Sequence, residues 1–397
     1  MTEAGGAGPA RPLHILQVST SPSWGGMEME TLRISTGLRA RGLGVTLLCH
    51  PDGTLRREAE AHGLPVWTIP FENGVHLREI LALRSRLGAD RMDLVHLHFS
   101  RDLRFVVPAM EGMARRPRLI LTKHVGSFIA KKDLLHRWLY ARLDLVIAIS
   151  RVIRQNLLDT CPVDPAKVIV QYNGVDRARY AAASSARDRV RADLGLGDDE
   201  IVVGMVARFS RGKGQEEFLR AAALILAEAR AGAAPGGTHL PGLRFLVVGG
   251  ASYGEEAYEA EVRELAAGLH LGDAVIFTGF RRDAPELIAA MDIVACPSHA
   301  EAFGNVAVEA MAVGRAVVAS NSDGLRDIVT DGVNGLAVPP RDAVLLAAGV
   351  RALILDPGLR ERLVRAGRRD VQERFDEARQ LDELVRRYEN LIGRRRD

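Results

Sequence analysis

Two glutamates, Glu301 and Glu309, stand eight positions apart in "HAEAFGNVAVEA" (residues 299–310), on either side of an aromatic-glycine-asparagine turn. The strand-like run "DIVACPS" precedes them, so the motif begins where a parallel strand would end. Open α/β sheets hold their ligands at that edge. A helix expected to start near Asn305 and stop before Gly314 leaves the amides of Gly304, Asn305 and Val306 as free donors at a positive dipole end, suited to phosphate. Carboxylates are poor phosphate ligands but good acceptors from hydroxyl groups, so the pair fits a ligand with sugars on both sides of its phosphates. A nucleotide sugar has that layout. In isolation such a pair is more often a turn residue and a solvated helix glutamate.

A second stretch, "VARFSRGKGQEEF", also follows a strand-like run and sets Arg208, Arg211 and Lys213 beside Gly212 and Gly214, just before a helix. Cations there would bind a diphosphate and stabilise it as it leaves with extra negative charge. A basic loop alone is usually solvated surface; two such stretches at one sheet edge say more. In "QVSTSPSWGGMEMETL", Gly25 and Gly26 lie where a backbone can closely approach a ligand. The GxGxxG pattern is missing, and Asp52, the nearest acid after the next strand, lies beyond a proline, so NAD is weakly supported. His124, in "LTKHVGSF", follows a strand next to Lys123, although a lone histidine is more often structural. His96 and His98 in "HLHF" share a strand face without a nearby acid or cysteine to complete a metal set, and read as polar contacts at a strand end. No Asp-x-Asp occurs, which disfavours a diphosphate bridged by a divalent metal. Cys49, Cys161 and Cys296 are far apart and read as buried small hydrophobes rather than a disulfide framework or zinc site.

The elements that must position these residues alternate along the chain. Apolar runs such as "LHILQVS", "VTLLCH", "DLVHLHF", "RLILTKH" and "DLVIAIS" lack period-2 alternation and are separated by amphipathic stretches, the pattern of parallel strands covered on both faces. The pattern restarts at "IVVGMVARF" and runs through "RFLVVGG", "AVIFTGF", "DIVACPS", "RAVVAS" and "GLAVP". With 397 residues, 47% of them hydrophobic, two doubly wound domains are expected. The polar, alanine-rich stretch after "VQYNGVD" marks the boundary, and residues 229–242, rich in Gly and Pro, read as a flexible surface insertion. Near the end, Leu381, Leu384, Tyr388 and Leu391 fall on one helix face at spacings of three and four and require a surface to cover.

The net charge of +3 hides an asymmetry: residues 1–180 hold about 25 Lys/Arg against about 17 Asp/Glu, leaving the remainder acidic. A basic first half could face a phospholipid surface, a lipid-linked phosphate or a nucleic acid, or could be no more than an arginine-rich solvated surface. Aromatic-basic interleaving is missing, so nucleic acid is not expected. No apolar run of signal-peptide or membrane-span length appears, and the expected location is cytoplasmic.

Glu301 and Glu309 with seven residues between them, "AFGNVAVEAMAVGRAVVAS", "VARFSRGKG" with Arg208 and Lys213 five apart, and "GGMEM" near the start together resemble family 4 of the retaining GT-B glycosyltransferases, over nearly the whole chain and in the right order. The resemblance implies two Rossmann-like domains facing across a cleft: an acceptor-binding domain at 1–178, a nucleotide-sugar-binding domain at 179–374, and a terminal helix at 375–397 returning to the first. It implies that Glu309 holds the donor's ribose hydroxyls and that Glu301 touches hydroxyls of the transferred sugar. Phe303, Gly304 and Asn305, with Val306, would present amides, and Arg208 and Lys213 would hold the diphosphate. His124 would lie near the sugar's reacting face, and Gly25 and Gly26 beside the diphosphate and acceptor. Base contacts are expected around Gly279 to Arg282, including Phe280.

The reaction implied is sugar transfer from a nucleoside-diphosphate sugar with retention of configuration, without cofactor or metal. Closure excludes water, and the leaving phosphate itself accepts the acceptor's proton. Arg101, Arg104, Arg115, Arg116, Arg118, Lys131, Lys132 and Arg137 concentrate in the first domain and point to an anionic acceptor, such as a lipopolysaccharide core, a lipid-linked precursor or a surface polysaccharide, with peripheral contact at the inner membrane face. A nucleotide-sugar epimerase of the same fold, or a catalytically silent nucleotide-sugar binder, are the alternatives. The donor base, the sugar, the linkage and the oligomeric state leave no readable trace.

Overall fold

Short apolar strands, buried through the centre of each sheet and partly open at its edges, define both halves of the chain. The computed structural model describes residues 11–70, 77–232, 240–251 and 254–393. It divides into one unit up to Gln171 joined by the residues from Ala378 onward, and a second unit, Tyr172–Glu377. In the first unit β1 (His14–Ser19), β2 (Gly44–Cys49), β3 (Val66–Thr68), β4 (Leu94–Leu97), β5 (Arg118–Lys123), β6 (Leu145–Ala148) and β7 (Val168–Val170) form a parallel sheet in the order β3-β2-β1-β4-β5-β6-β7. In the second, β8 (Ile201–Val206), β9 (Leu243–Val248), β10 (Val275–Gly279), β11 (Ile293–Cys296), β12 (Ala316–Ser320) and β13 (Leu336–Val338) are likewise parallel, in the order β10-β9-β8-β11-β12-β13. Each order reverses once, between β1 and β4 and between β8 and β11. A crevice for ligands opens at the carboxyl ends of strands at such a reversal.

The core of the first unit gathers Ile15, Leu38, Leu47, Leu94, Ile120 and Ile147 with Leu381, Leu384 and Tyr388 of the helix Glu377–Gly393. The terminal stripe therefore covers the first sheet, with Leu391 partly buried against the same cluster. Gly37 makes this close approach possible, because a Cβ there would stand 2.4 Å from Leu381 Cδ1. Arg41 Nε pairs with Asp382 at 2.7 Å, and Gln171 Nε2 donates to the Gln380 carbonyl at 2.8 Å. The second core is built on Val203, Phe218, Phe245, Val247, Ile293, Val318 and Leu353.

The division between units falls at Gln171/Tyr172 and Glu377/Ala378, a few residues from the sequence-based boundaries at 178 and 374. The polar stretch after them is helical at Arg177–Ala183 and Arg187–Asp193 and belongs to the second unit. There Arg187 pairs with Asp292 at 2.6 Å, and the buried Arg191 donates to the Glu200 carbonyl at 2.7 Å. The two chain crossings run side by side: Val175 N donates to the Phe375 carbonyl at 2.7 Å and Glu377 N to the Val175 carbonyl at 3.1 Å. Of the expected insertion at 229–242, residues 229–231 close the helix Gln215–Ala231 and Gly232 caps it; 233–239 lie outside the described residues.

Candidate functional site

The loop after β11 turns into the helix Asn305–Val313 through Gly304, whose φ of +112° suits glycine alone; a Cβ there would lie 2.5 Å from Leu325 Cδ2. Phe303 anchors this turn. It is buried, stacked on Tyr172 at 5.8 Å and edge-on to Phe375 at 5.9 Å. Asn305, exposed on the first turn, accepts through Oδ1 from Asn173 Nδ2 at 3.1 Å, while Val306 and Glu309 are half-buried along the same helix. The helix start thus carries first-turn amides without intrahelical partners, at its positive end.

Glu301 is held before the helix. Its Oε2 accepts from Lys213 Nζ at 2.7 Å and Ser298 Oγ at 3.3 Å, and its carbonyl accepts from Gly324 N at 2.8 Å. The Cys296 thiol is pushed up to about 12, first by burial and then by the negative charges of Glu301 and Glu309, with Lys213 opposing. Those four groups share one electrostatic neighbourhood. Lys213 and Glu301 therefore form one unit, where the sequence showed two separate binding groups.

The basic loop after β8 meets this turn at the backbone. Gly214, at φ +82°, caps the helix Gln215–Ala231, and a Cβ there would stand 2.3 Å from the Pro297 carbonyl. His299 N donates to the Gly212 carbonyl at 2.8 Å. Both loops leave strands flanking the reversal between β8 and β11, so two stretches nearly ninety residues apart (Lys213 and Glu301) form one edge. Arg208 is exposed at its mouth, without a side-chain partner among the described residues, and its carbonyl accepts from Gln215 Nε2 at 2.9 Å. Arg211 departs from the sequence reading of this loop: it pairs with Glu261 at 2.6 Å and covers the Tyr258 ring, leaving Arg208 and Lys213 toward the site. Phe280 and Arg282 are exposed after β10, on the turn set by Gly279 at φ +69°. Order β10-β9-β8 places that turn two strands away from the basic loop. Ser298, His299, Asn173 and Tyr172 were not singled out by the sequence. Only the first two lie inside the stretches that drew attention.

In the first unit His124 follows β5 and is buried. Its Nε2 is 3.1 Å from His98 Nδ1, and His98 Nε2 is 2.7 Å from Gln17 Oε1. With the Gln17 oxygen placed toward His98, the His98 Nε2 proton donates to it, so His98 Nδ1 must accept from His124 Nε2–H. Nδ1 of His124 is then left as an acceptor. His96 completes the cluster, 2.6 Å from the Tyr388 hydroxyl and 2.7 Å from Thr122 Oγ1. The two strand histidines are interior links, not edge contacts. Burial holds all three rings neutral: His96 and His124 are pushed down to about 3, and His98 well below the ordinary histidine range. Gly25 caps the helix Gly26–Ala40 and donates from its amide to Glu28 Oε2 at 3.0 Å.

The cationic cluster of the first unit divides in two. Arg115 pairs with Asp93 at 2.9 Å, Arg118 with Asp144 at 2.9 Å, and Arg116 lies 3.9 Å from Asp144, so these three brace loops. Arg101, Arg104 and Lys131 instead line a cavity. Among the described residues no group of three or more His, Cys, Asp or Glu is gathered as a metal ion would require, and no helix is long and apolar enough to cross a membrane.

This geometry agrees with what the chain is similar to. The family described as "Glycosyltransferase Family 4" matches residues 24–179, and "Glycosyl transferases group 1" matches residues 186–370. The chain is 30% identical to the D-inositol 3-phosphate glycosyltransferase of Kineococcus radiotolerans, covering 89% of this chain and 90% of that protein. It is 29% identical to the enzyme of that name from Acidothermus cellulolyticus, covering 99% and 93%. Among solved structures, Anabaena Alr3699/HepE in complex with UDP superposes with a TM-score of 0.81 at 26% identity, covering 95% of this chain and all (100%) of that one. Its complex with UDP-glucose gives a TM-score of 0.78, also at 26% identity, over 95% and 100% of the two chains. Two parallel α/β units, their site loops at the strand reversals, and family matches across both halves establish that the chain belongs to the family 4 glycosyltransferases of GT-B fold.

Proposed function

We propose that this glycosyltransferase moves a sugar from a nucleoside diphosphate, with UDP as the carrier, to a hydroxyl of an anionic acceptor, retaining anomeric configuration and requiring no metal. The observation that carries the reading is the Lys213–Glu301 pair beside the open helix start at Gly304–Val306. In this reading the cation and the first-turn amides meet the phosphates, and the two carboxylates serve as hydroxyl acceptors on either side. Lys213 and Arg208 neutralise the leaving diphosphate, Glu309 accepts from the ribose, and Glu301 accepts from the transferred sugar while fixing the Lys213 ammonium. His124 presents Nδ1 to a sugar hydroxyl, and Gly25 and Gly26 let the backbone approach donor and acceptor. Phe280 and Arg282 flank the base. The UDP and UDP-glucose complexes of the similar Anabaena protein support UDP.

For the acceptor, the name of the curated relatives, a phosphorylated polyol's glycosyltransferase, and the basic first unit support an anion. Precursors of lipopolysaccharide or of surface polysaccharide fall in this class, and a lipid-linked one would bring the reaction to the cytoplasmic membrane face. Thermal stabilisation of the purified protein by UDP, GDP, ADP and CMP, each with magnesium and with chelator, tests the donor half. A ligand at 100 times its dissociation constant adds about 2.7 kcal/mol. A UDP shift insensitive to chelator is expected. Stabilisation only by another nucleotide, or only with magnesium, would refute that half. Release of UDP from UDP-sugar only when acceptor is supplied separates transfer from epimerisation, which needs no second substrate.

A further inference from the structure

Once Arg115, Arg116 and Arg118 are assigned to loop bracing, the remaining cations of the first unit have a different setting. A cavity of about 470 Å³ behind the ends of β4 and β5 is lined by Arg101, Arg104, Lys131 and His136, with Ser100 and Tyr140 among its other walls. No carboxylate lines it, and neither Arg104 nor Lys131 has a carboxylate partner among the described residues. Below it, buried Lys123 donates from Nζ to Ser100 Oγ at 3.1 Å. Burial and the neighbouring Lys131 charge push the Lys123 ammonium down to about 8. Cations that share one cavity wall repel one another, as the effect of Lys131 on Lys123 shows, and an anion relieves that repulsion.

The segment that supplies Lys131, His136, Leu139 and Tyr140 to the cavity also carries exposed apolar side chains. Phe128 is 98% exposed, Ile129 76%, Leu134 83% and Leu135 50%, all within the segment that carries Lys131, Lys132 and Arg137. Helix Leu134–Ala141 starts here, turning His136, Leu139 and Tyr140 to the cavity and leaving Leu134 and Leu135 outside. Scattered exposed leucines need no explanation, but large exposed apolar side chains grouped in one short segment among cations form an interfacial pattern. The aromatic and aliphatic tips enter the headgroup region while the cations meet anionic charge.

We infer that this face docks on an anionic phospholipid surface: Phe128, Ile129, Leu134 and Leu135 insert, and a headgroup phosphate enters the cavity between Arg101, Arg104 and Lys131. The inference deepens the acceptor reading of the proposed function and rests on it, since it makes the acceptor's anion one that is presented at a bilayer. Charge complementarity selects this occupant. A protein partner would have to offer apolar and acidic surfaces matched to these side chains one by one, whereas a bilayer offers charge and apolar depth together.

The test is co-sedimentation of the full chain with phosphatidylcholine vesicles and with vesicles also containing phosphatidylglycerol, at low and high salt, for wild type, Phe128→Ala/Ile129→Ala and Arg104→Glu/Lys131→Glu. Wild type should bind only the anionic vesicles and release at high salt, and each pair of substitutions should weaken partitioning on the order of tenfold. UDP-induced thermal stabilisation, measured in the same variants, should be unchanged; it reports folding and donor binding independently of the membrane. Equal binding by wild type and both variants, or no binding to anionic vesicles, would overturn the inference while leaving donor binding standing. Inorganic phosphate stabilising the protein through Arg104 and Lys131, with no vesicle binding, would reassign the cavity to a soluble phosphate and equally overturn the lipid source.

Discussion

Lys213 and Glu301 are each about a quarter exposed, and an ion pair so placed contributes little to stability. In the proposed function its value is chemical: the carboxylate fixes the ammonium that would meet the charge developing on the leaving diphosphate. Lys213→Ala should therefore lower turnover roughly 10²-fold or more, while the thermal midpoint moves little. UDP release with acceptor and a melting curve on the same sample separate the two effects. Unchanged turnover would remove Lys213 from the chemistry. This part of the site was legible because both residues sit in short stretches with unusual neighbours. The histidine chain was not, because its links Gln17, His98 and His124 come from three strand ends and its far anchor, Tyr388, lies 292 positions beyond His96. Nor could charge alone separate Arg104 from Arg115, since the partner that occupies Arg115, Asp93, lies on another loop.

At the level of elements, the helix Asn305–Val313 is aimed by one glycine. Gly304→Ala must accommodate φ +112° and the Leu325 side chain 2.5 Å from its Cβ, so a loss of about 1–3 kcal/mol is expected in denaturant unfolding, together with weaker UDP binding. A variant as stable and as tight as wild type would show that the turn is not fixed as described. The terminal helix offers a second case. Leu384 is buried against the first sheet, and Leu384→Ala should lose about 2–5 kcal/mol in the first unit, leaving intact the stabilisation by UDP that the proposed function assigns to the second unit. That stripe was readable from a spacing of three and four, and the strands from their unbroken apolar runs. The boundary was harder to read, because the arginines after 176 look like a solvated linker until Arg187 and Arg191 are seen gripping Asp292 and the Glu200 carbonyl.

For the whole molecule, three neutral histidines buried in one unit set its response to acid. Folded pKa values depressed below 6.5 give stability that is present above that pH and lost as pH falls toward the folded values, about 3 for His96 and His124. Three such groups alone would give a slope of ~4 kcal/mol per pH unit below about pH 6, and buried Asp102, pushed up to about 7, offsets about one group's share between pH 7 and pH 4, leaving a net loss of stability toward acid. Unfolding followed at Tyr388 or the terminal helix should thus shift to acid-sensitive behaviour before the second unit does; coincident transitions in both units across that range would contradict it.

The first unit is built from two separated pieces of chain, with the second unit threaded between Gln171 and Ala378. On a ribosome, residues up to Gln171 emerge early yet lack the helix that covers Leu38, Leu47 and Ile120 and that gives His96 its phenol partner. The contiguous middle of the chain can finish first. Maturation therefore runs from the inside of the sequence outward, and a transcript stopping before Ala378 would release an intact second unit attached to a first unit whose core was never closed.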